Sequence, residues 1–113
     1  MEKDMDALRF PVGKFLKPEI ITAENKSEWI SVIEKFPAEI KKATEGLSEE
    51  DLKKTYRPGG WNIRQVVHHC ADSHMNAIIR FKLALTEDNL TIKPYKENLW
   101  AELPDTRLNT VIL

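Results

Sequence analysis

The sequence is poor in the residues that mark secreted and membrane proteins. Cys70 is the one cysteine, so no internal disulfide can form and a reducing cytoplasm is the expected compartment. No apolar run is long enough to span a bilayer. Residues 1–10 carry five charged side chains and lack the apolar stretch of a signal peptide. We therefore expect no membrane association.

The sequence also lacks an excess of either charge. Seventeen Lys and Arg nearly balance eighteen Asp and Glu, which gives a net charge of -1. That balance provides no electrostatic footprint for nucleic acid and no polybasic membrane patch. The hydrophobic fraction of 42% and the charged fraction of 31% are ordinary for a globular protein, and 113 residues fit one domain.

Residues 1–21 are expected to form an extended, irregular arm. Pro11, Gly13 and Pro18 interrupt any helix, and each proline pushes its predecessor toward extended backbone. The apolar residues of this arm could lie along a core: Phe10, Val12, Phe15, Leu16, Ile20 and Ile21.

A helical core is expected over residues 22–86, beginning with a helix at residues 23–44. Its apolar residues recur at steps of four and three, the spacing of one helix face: Trp29, Ile33, Phe36, Ile40 and Ala43. Pro37 lies inside this pattern and is expected to kink or split the helix. Gly46 is a plausible C-terminal cap.

A short helix and a second long helix follow. Ser48 and Asp51 resemble a capping box for the short helix. Asn62 and Gln65 can cap the long one, which should run to about Leu85. Its apolar stripe consists of Ile63, Val66, Val67, Cys70, His74, Ile78, Phe81 and Leu85.

Residues 87–113 are expected to be irregular because Pro94 and Pro104 break the chain. Some apolar residues there could pack onto the helices: Tyr95, Leu99, Trp100 and Leu103. The chain ends on an apolar run at residues 110–113, which is unusual for an end exposed to water. Two long helices also make a thin core, since bundles commonly use four. We therefore expect that part of the packing surface is missing or is supplied by a second copy of the chain in a homodimer.

His69 is the strongest candidate for a metal ligand. The steps from His69 to Ser73, Asn76 and Arg80 are four, three and four, so these residues form a polar stripe beside the apolar one. Such a position is buried enough to exclude water and polar enough to hold a ligand. The alternative is a solvated helix flank with a hydrogen-bonded histidine.

Four neighbours of His69 have weaker assignments. Asp72 lies three residues later, where it could orient His69 or accept a proton from a bound water, or simply be a surface carboxylate. Cys70 and His74 share a face and could chelate a soft metal, although both also fit a core. His68 points away from the apolar stripe and is expected to be exposed.

Other catalytic patterns are missing. The sequence has no Gly-rich phosphate loop, no His-Glu-x-x-His and no serine nucleophile elbow. A catalytic zinc site usually takes three protein ligands and keeps one open position. One histidine on one helix is therefore an incomplete site.

Residues 59–76, GGWNIRQVVHHCADSHMN, closely resemble the DinB/YfiT superfamily. The continuation IRFKLALTE at residues 79–87 resembles the YfiT branch in particular, as do RFPVG at 9–13, KPY at 93–95 and WAEL at 100–103. The resemblance extends to about Asp105 and is spread over several segments, which makes it specific.

The resemblance implies an all-α, up-and-down four-helix bundle that binds a divalent metal, often nickel or zinc, through three histidines. One of them lies eight residues after the tryptophan, and that position is His69. The YfiT branch resembles metal-dependent hydrolases, and related members look like S-transferases that use a low-molecular-weight thiol such as bacillithiol. The metal would lower the pKa of a bound water or thiol.

One family feature is not found in this sequence. The family's other two histidines form a His-x-x-x-His pair on a final helix, and the sequence contains no such pair. We therefore expect a C-terminally truncated copy with an incomplete bundle. The leading hypothesis is a metal-dependent hydrolase or thiol S-transferase acting on a small molecule, inactive if the site stays incomplete. The competing hypothesis is a non-catalytic helical module that oligomerises through exposed apolar faces.

Overall fold

The computed structural model describes residues 2–108, and it describes side chains from residue 5 onward. The described part contains five α-helices and one 3₁₀ turn: α1 (Glu2–Arg9), α2 (Ala23–Thr44), α3 (Glu49–Leu52), α4 (Ile63–Thr86), α5 (Glu97–Trp100) and the turn Pro104–Arg107. Over these residues there is no β-strand, and extended pairing is limited to one isolated bridge between Thr55 and Asn62. The all-α expectation is confirmed, whereas the apolar run at residues 110–113 lies outside the described residues.

The N-terminal arm differs from the expectation in its first half. Residues 2–9 form α1, because no proline or glycine occurs before Pro11 and a basic residue, Arg9, lies in the last turn. Residues 10–21 contain no helix. Val12 is 97% exposed, so this part does not lie along a core. Residues 10–21 contact α2 through two aromatic rings: Phe15 meets Trp29 edge-on, with 6.2 Å between the ring centroids.

Helix α2 has the bounds that the apolar spacing predicts. Its N-terminus is closed by a reciprocal capping box, in which Thr22 accepts from the Asn25 amide and Asn25 accepts from the Thr22 amide. Pro37 lies inside the helix without splitting it. Gly46 follows the C-cap with φ +78°, a left-handed conformation that glycine adopts without a Cβ penalty. No residue of α2 is buried.

Helices α3 and α4 also begin at the expected caps. Ser48 and Asp51 form the capping box of α3, and Asn62 and Gln65 form that of α4. Helix α4 is 24 residues long and ends one residue beyond the expected Leu85. Local hydrogen bonding by polar side chains therefore defines both starts.

The segment after α4 is more ordered than expected. Instead of irregular chain throughout, it contains α5 and the 3₁₀ turn, with Ala101 and Thr106 buried. The prolines do not prevent these short turns, since Pro104 occupies the first position of its turn, where no backbone donor is needed. This segment returns to pack against the start of α4.

The core of the described residues surrounds residues 63–74, the N-terminal half of α4. The buried apolar residues are Leu52, Val67 and Ala101, and the buried polar ones are Arg64, His68, Asp72 and Thr106. Further along α4 the predicted apolar stripe is not buried, because Ile78 is 58% exposed and Phe81 69% exposed. In the described part, α4 is covered at its beginning and open toward its end.

Candidate functional site

The predicted polar stripe lies at the edge of this core. His69, Ser73, Asn76 and Arg80 are all half-buried along α4, as their spacing indicates. Asn76 donates to the Asp72 carbonyl at 2.8 Å, a bond within the helix. Arg80 donates to the Lys93 carbonyl at 3.3 Å and so connects the stripe to the segment after α4.

The His69 ring is held by an aromatic neighbour. Trp61, the residue before the Asn62 cap, places its ring 4.8 Å from the imidazole at an angle of 47°. The His69 ring has no hydrogen-bond partner among the described residues, whereas His68 Nε2 lies 3.1 Å from the Leu108 carbonyl. His69 is thus oriented by packing, and its polar atoms remain available to a ligand.

The expectation that His68 is exposed is wrong. Its side chain is 3% exposed and contacts the Leu108 carbonyl, because the segment after α4 folds back over that face of the helix. The prediction rested on α4 alone, with the opposite face left to solvent. His68 therefore helps to hold the fold together.

Asp72 is buried, so the interpretation as a plain surface carboxylate is wrong. It is 8% exposed, and burial raises the pKa of its carboxyl group above the usual value, assisted by the nearby negative charge of Asp105. His68 and His69 act in the opposite direction and lower that pKa. Asp72 therefore lies within electrostatic reach of His69, as a residue that orients or assists it must.

Cys70 and His74 have a different environment from His69. The His74 ring lies 5.2 Å from the Phe36 ring of α2. Cys70 is a half-buried free thiol, and burial raises its pKa, which disfavours the thiolate that a soft metal needs. Cys70 and His74 are therefore best explained as packing residues on the side of α4 that faces α2.

Arg64 is a buried residue whose importance the sequence reasoning missed. It donates to the carbonyls of Arg107 and Leu108, and it forms an ion pair with Glu49 of α3. A signal was available: Arg64, His68 and Asp72 follow one another at steps of four, so they form a second polar stripe. That stripe is the one that the segment after α4 covers.

The described residues do not make a complete metal site. No group of three His, Cys, Asp or Glu side chains within them is placed to hold a metal ion. His69 offers one imidazole, whereas a catalytic site of this kind takes about three protein ligands. No described helix is long and apolar enough to cross a membrane.

Comparison with known families identifies the family of this chain. The family model described as the DinB superfamily matches residues 33–110, which includes α4 and the segment that covers it.

Similar proteins and one solved structure agree with that match. Relatives from Bacillus cereus strain B4264 and Bacillus anthracis strain A0248, each called "Putative metal-dependent hydrolase", are 57% identical over 104 residues, or 92% of this chain. The chain spans 60% of the length of these relatives. The solved structure is YfiT from Bacillus subtilis, described as "a probable metal-dependent hydrolase with an unusual four-helix bundle topology". It superposes with a TM-score of 0.87 at 47% identity, over 93% of this chain and 61% of that one.

Proposed function

The chain belongs to the DinB superfamily. On that premise we propose that it forms part of a divalent-metal-dependent hydrolase in which His69 is one metal ligand. The observation that supports this role is the setting of His69 itself. Its half-buried ring is held against Trp61 at 4.8 Å without a hydrogen bond from the described residues. The other two histidines are engaged, His68 with the Leu108 carbonyl and His74 with Phe36.

Asp72 supports His69 in this proposal. A carboxylate beside a ligand imidazole fixes its orientation and increases its basicity. Asp72 is 8% exposed and lies three residues after His69, close enough for a protonated His69 to lower its pKa. Because the described residues give His69 no hydrogen bond, Asp72 acts on it through charge and can hold a proton near it.

The ligands that complete the site come from outside residues 2–108. A divalent metal such as nickel or zinc, held by His69 and these further ligands, would lower the pKa of a water or thiol bound to it. The two reaction classes that use this chemistry are hydrolysis of a small molecule and transfer of a low-molecular-weight thiol. The single cysteine favours a reducing compartment such as the cytoplasm.

Paramagnetic broadening by Ni²⁺ tests the ligand assignment without requiring a complete site. In ¹⁵N-labelled protein, a low concentration of Ni²⁺ should broaden the amide signals around His69 first. His69→Ala should abolish this pattern, and the matched variant His74→Ala should keep it. Broadening that centres on Cys70 and His74, or that survives in His69→Ala, would contradict the assignment.

A non-catalytic helical module is the second candidate, favoured by the exposed apolar surface of α2. Ile30 is 64% exposed and Ile33 56% exposed, on a helix without a buried residue. A second copy of the chain could cover such a surface. Sedimentation velocity across a concentration series decides this point. A stable monomer that binds Ni²⁺ at His69 would exclude the module, and a dimer without Ni²⁺ binding would favour it.

A further inference from the structure

A groove of about 540 Å³ lies between the second half of α4 and residues 90–100. Its apolar walls come from both sides of the groove and include Ile79, Leu83, Leu99 and Trp100. Its volume falls within the range of small-molecule sites, roughly 300–1,000 Å³. The groove lies next to the polar stripe, because Asn76 and Arg80 of that stripe also line it.

The charged residues that line the groove are basic, while the carboxylates of Glu97 and Asp72 lie within electrostatic reach of Tyr95 at its edge. Arg80, Lys93 and Lys96 line it, and no carboxylate does. Among the described side chains, the ion pairs are those of Lys54 with Asp51 and of Arg64 with Glu49, so Arg80 is in neither. Its guanidinium instead donates to the Lys93 carbonyl at 3.3 Å, which leaves donors for an anion.

Tyr95 adds a neutral donor to the groove. Its ring lies 4.6 Å from the Trp100 ring, a contact that holds the phenol in place. Burial and the negative charges of Glu97 and Asp72 raise the pKa of its hydroxyl, while a hydrogen bond with Ser73 and the positive charge of Arg80 lower it. The phenol is therefore protonated at neutral pH and can donate a hydrogen bond.

We propose that this groove binds a small molecule that carries one carboxylate on an apolar body. Its carboxylate pairs with Arg80 and accepts a hydrogen bond from Tyr95. Its apolar body lies against Ile79, Leu83 and Trp100. A planar guanidinium is well suited to a carboxylate, since it can donate two parallel hydrogen bonds.

The groove also suggests how a substrate would lie on α4, an extension that rests on the proposed function. Arg80 follows His69 by eleven residues, about 16 Å along the helix axis at 1.5 Å per residue. A molecule whose carboxylate pairs with Arg80 and whose apolar part lies against Ile79 and Leu83 would need a second, polar arm along Asn76 and Ser73 to reach His69. Binding in the groove itself needs no metal, so it is tested separately.

The test compares three eight-carbon probes, octanoate, 1-octanol and octylamine, below their aggregation concentrations and with EDTA present. Titration of ¹⁵N-labelled protein should show octanoate shifting Ile79, Leu83 and the Trp100 indole. Octanoate should bind about tenfold more tightly than either other probe, the change expected for one charge-assisted hydrogen bond. Arg80→Gln should remove this preference, and Arg80→Lys should retain part of it. The control Lys82→Gln removes an exposed charge outside the groove and should change nothing.

Three results would overturn the proposal. One is equal affinity for octanoate and 1-octanol, and another is an unchanged octanoate affinity in a folded Arg80→Gln variant. The third is a dimer whose dissociation constant responds to Arg80→Gln while octanoate affinity does not, which would assign the groove to a second copy. Because EDTA excludes metal, failure here leaves the Ni²⁺ result at His69 unaffected, and the reverse also holds.

Discussion

The two long helices differ in how they are attached to the rest of the protein. Helix α2 has 22 residues and none of them is buried, whereas α4 buries four, Arg64, Val67, His68 and Asp72. Both helices have a complete capping box, so local hydrogen bonding does not distinguish them. The difference arises from what packs on them.

Helix α4 is held by polar contacts with segments on either side of it in the sequence. Arg64 reaches Glu49 before it and the carbonyls of Arg107 and Leu108 after it. Gln65 donates to the Ala101 carbonyl at 3.0 Å. Helix α2 is attached through aromatic contacts, such as the one between Phe36 and His74. We conclude that polar contacts hold the buried start of α4 in the described fold, whereas the exposed helix α2 is held by apolar and aromatic contacts.

The largest effect is expected from Arg64→Ala. It removes two hydrogen bonds to the carbonyls of Arg107 and Leu108 and one ion pair, and it should lower the free energy of unfolding by about 2–4 kcal/mol. Urea denaturation followed by circular dichroism measures this change. The matched control is Arg107→Ala, whose side chain is exposed, with an expected cost below about 0.5 kcal/mol. Equal costs for the two variants would contradict the comparison.

A medium effect is expected when one apolar residue from each helix is shortened. Val67→Ala in α4 removes two methyl groups from a residue that is 8% exposed and should cost about 2 kcal/mol. Ile33→Ala in α2 shortens a side chain that is 56% exposed, so its cost should be about 0.5 kcal/mol or less. Thermal and urea unfolding of both variants give the ratio. If Ile33→Ala is the more damaging, α2 carries a core that the described contacts do not show.

The smallest effect is expected in the pH dependence of Asp72. Folding raises the pKa of its carboxyl group, so the folded state binds this proton more tightly than the unfolded state. The group therefore favours the folded state at low pH, and this contribution is lost as pH rises from the ordinary value of 3.8 through the folded pKa. Asp72→Asn should gain stability relative to the parent across that window. A stability difference that is constant from pH 3 to pH 8 would show that burial does not shift this group.

Features that depend on neighbouring residues in the sequence were predictable. The bounds of α2 and the start of α4 follow from apolar spacing and from reciprocal caps such as Asn62 with Gln65. Helix α1 does not follow from the pattern of Pro11, Gly13 and Pro18, because these residues act only on the backbone near them and leave residues 2–9 free to form a helix. The polar stripe from His69 to Arg80 was also visible in the spacing.

Features that depend on distant packing were not predictable. His68 was expected to be exposed because one helix considered alone has a polar face in water. The contact of His68 with the Leu108 carbonyl joins residues 40 positions apart, and nothing in local spacing indicates it. The same holds for the groove beside Arg80, whose far wall is formed by residues 90–100. Membership of the His69 site remains a prediction that the nickel experiment addresses.

The anchor between α4 and residues 101–108 uses main-chain oxygens on one side. The Ala101 carbonyl accepts from Gln65, and the carbonyls of Arg107 and Leu108 accept from Arg64. The Leu108 carbonyl also lies within hydrogen-bond distance of His68 Nε2. Six side chains of that segment are exposed: Glu102, Leu103, Pro104, Asp105, Arg107 and Leu108. Mutational tolerance should therefore be strongly asymmetric. A saturation scan should accept many replacements at these six positions and few at Arg64, since carbonyl groups are common to all twenty amino acids and guanidinium groups are not.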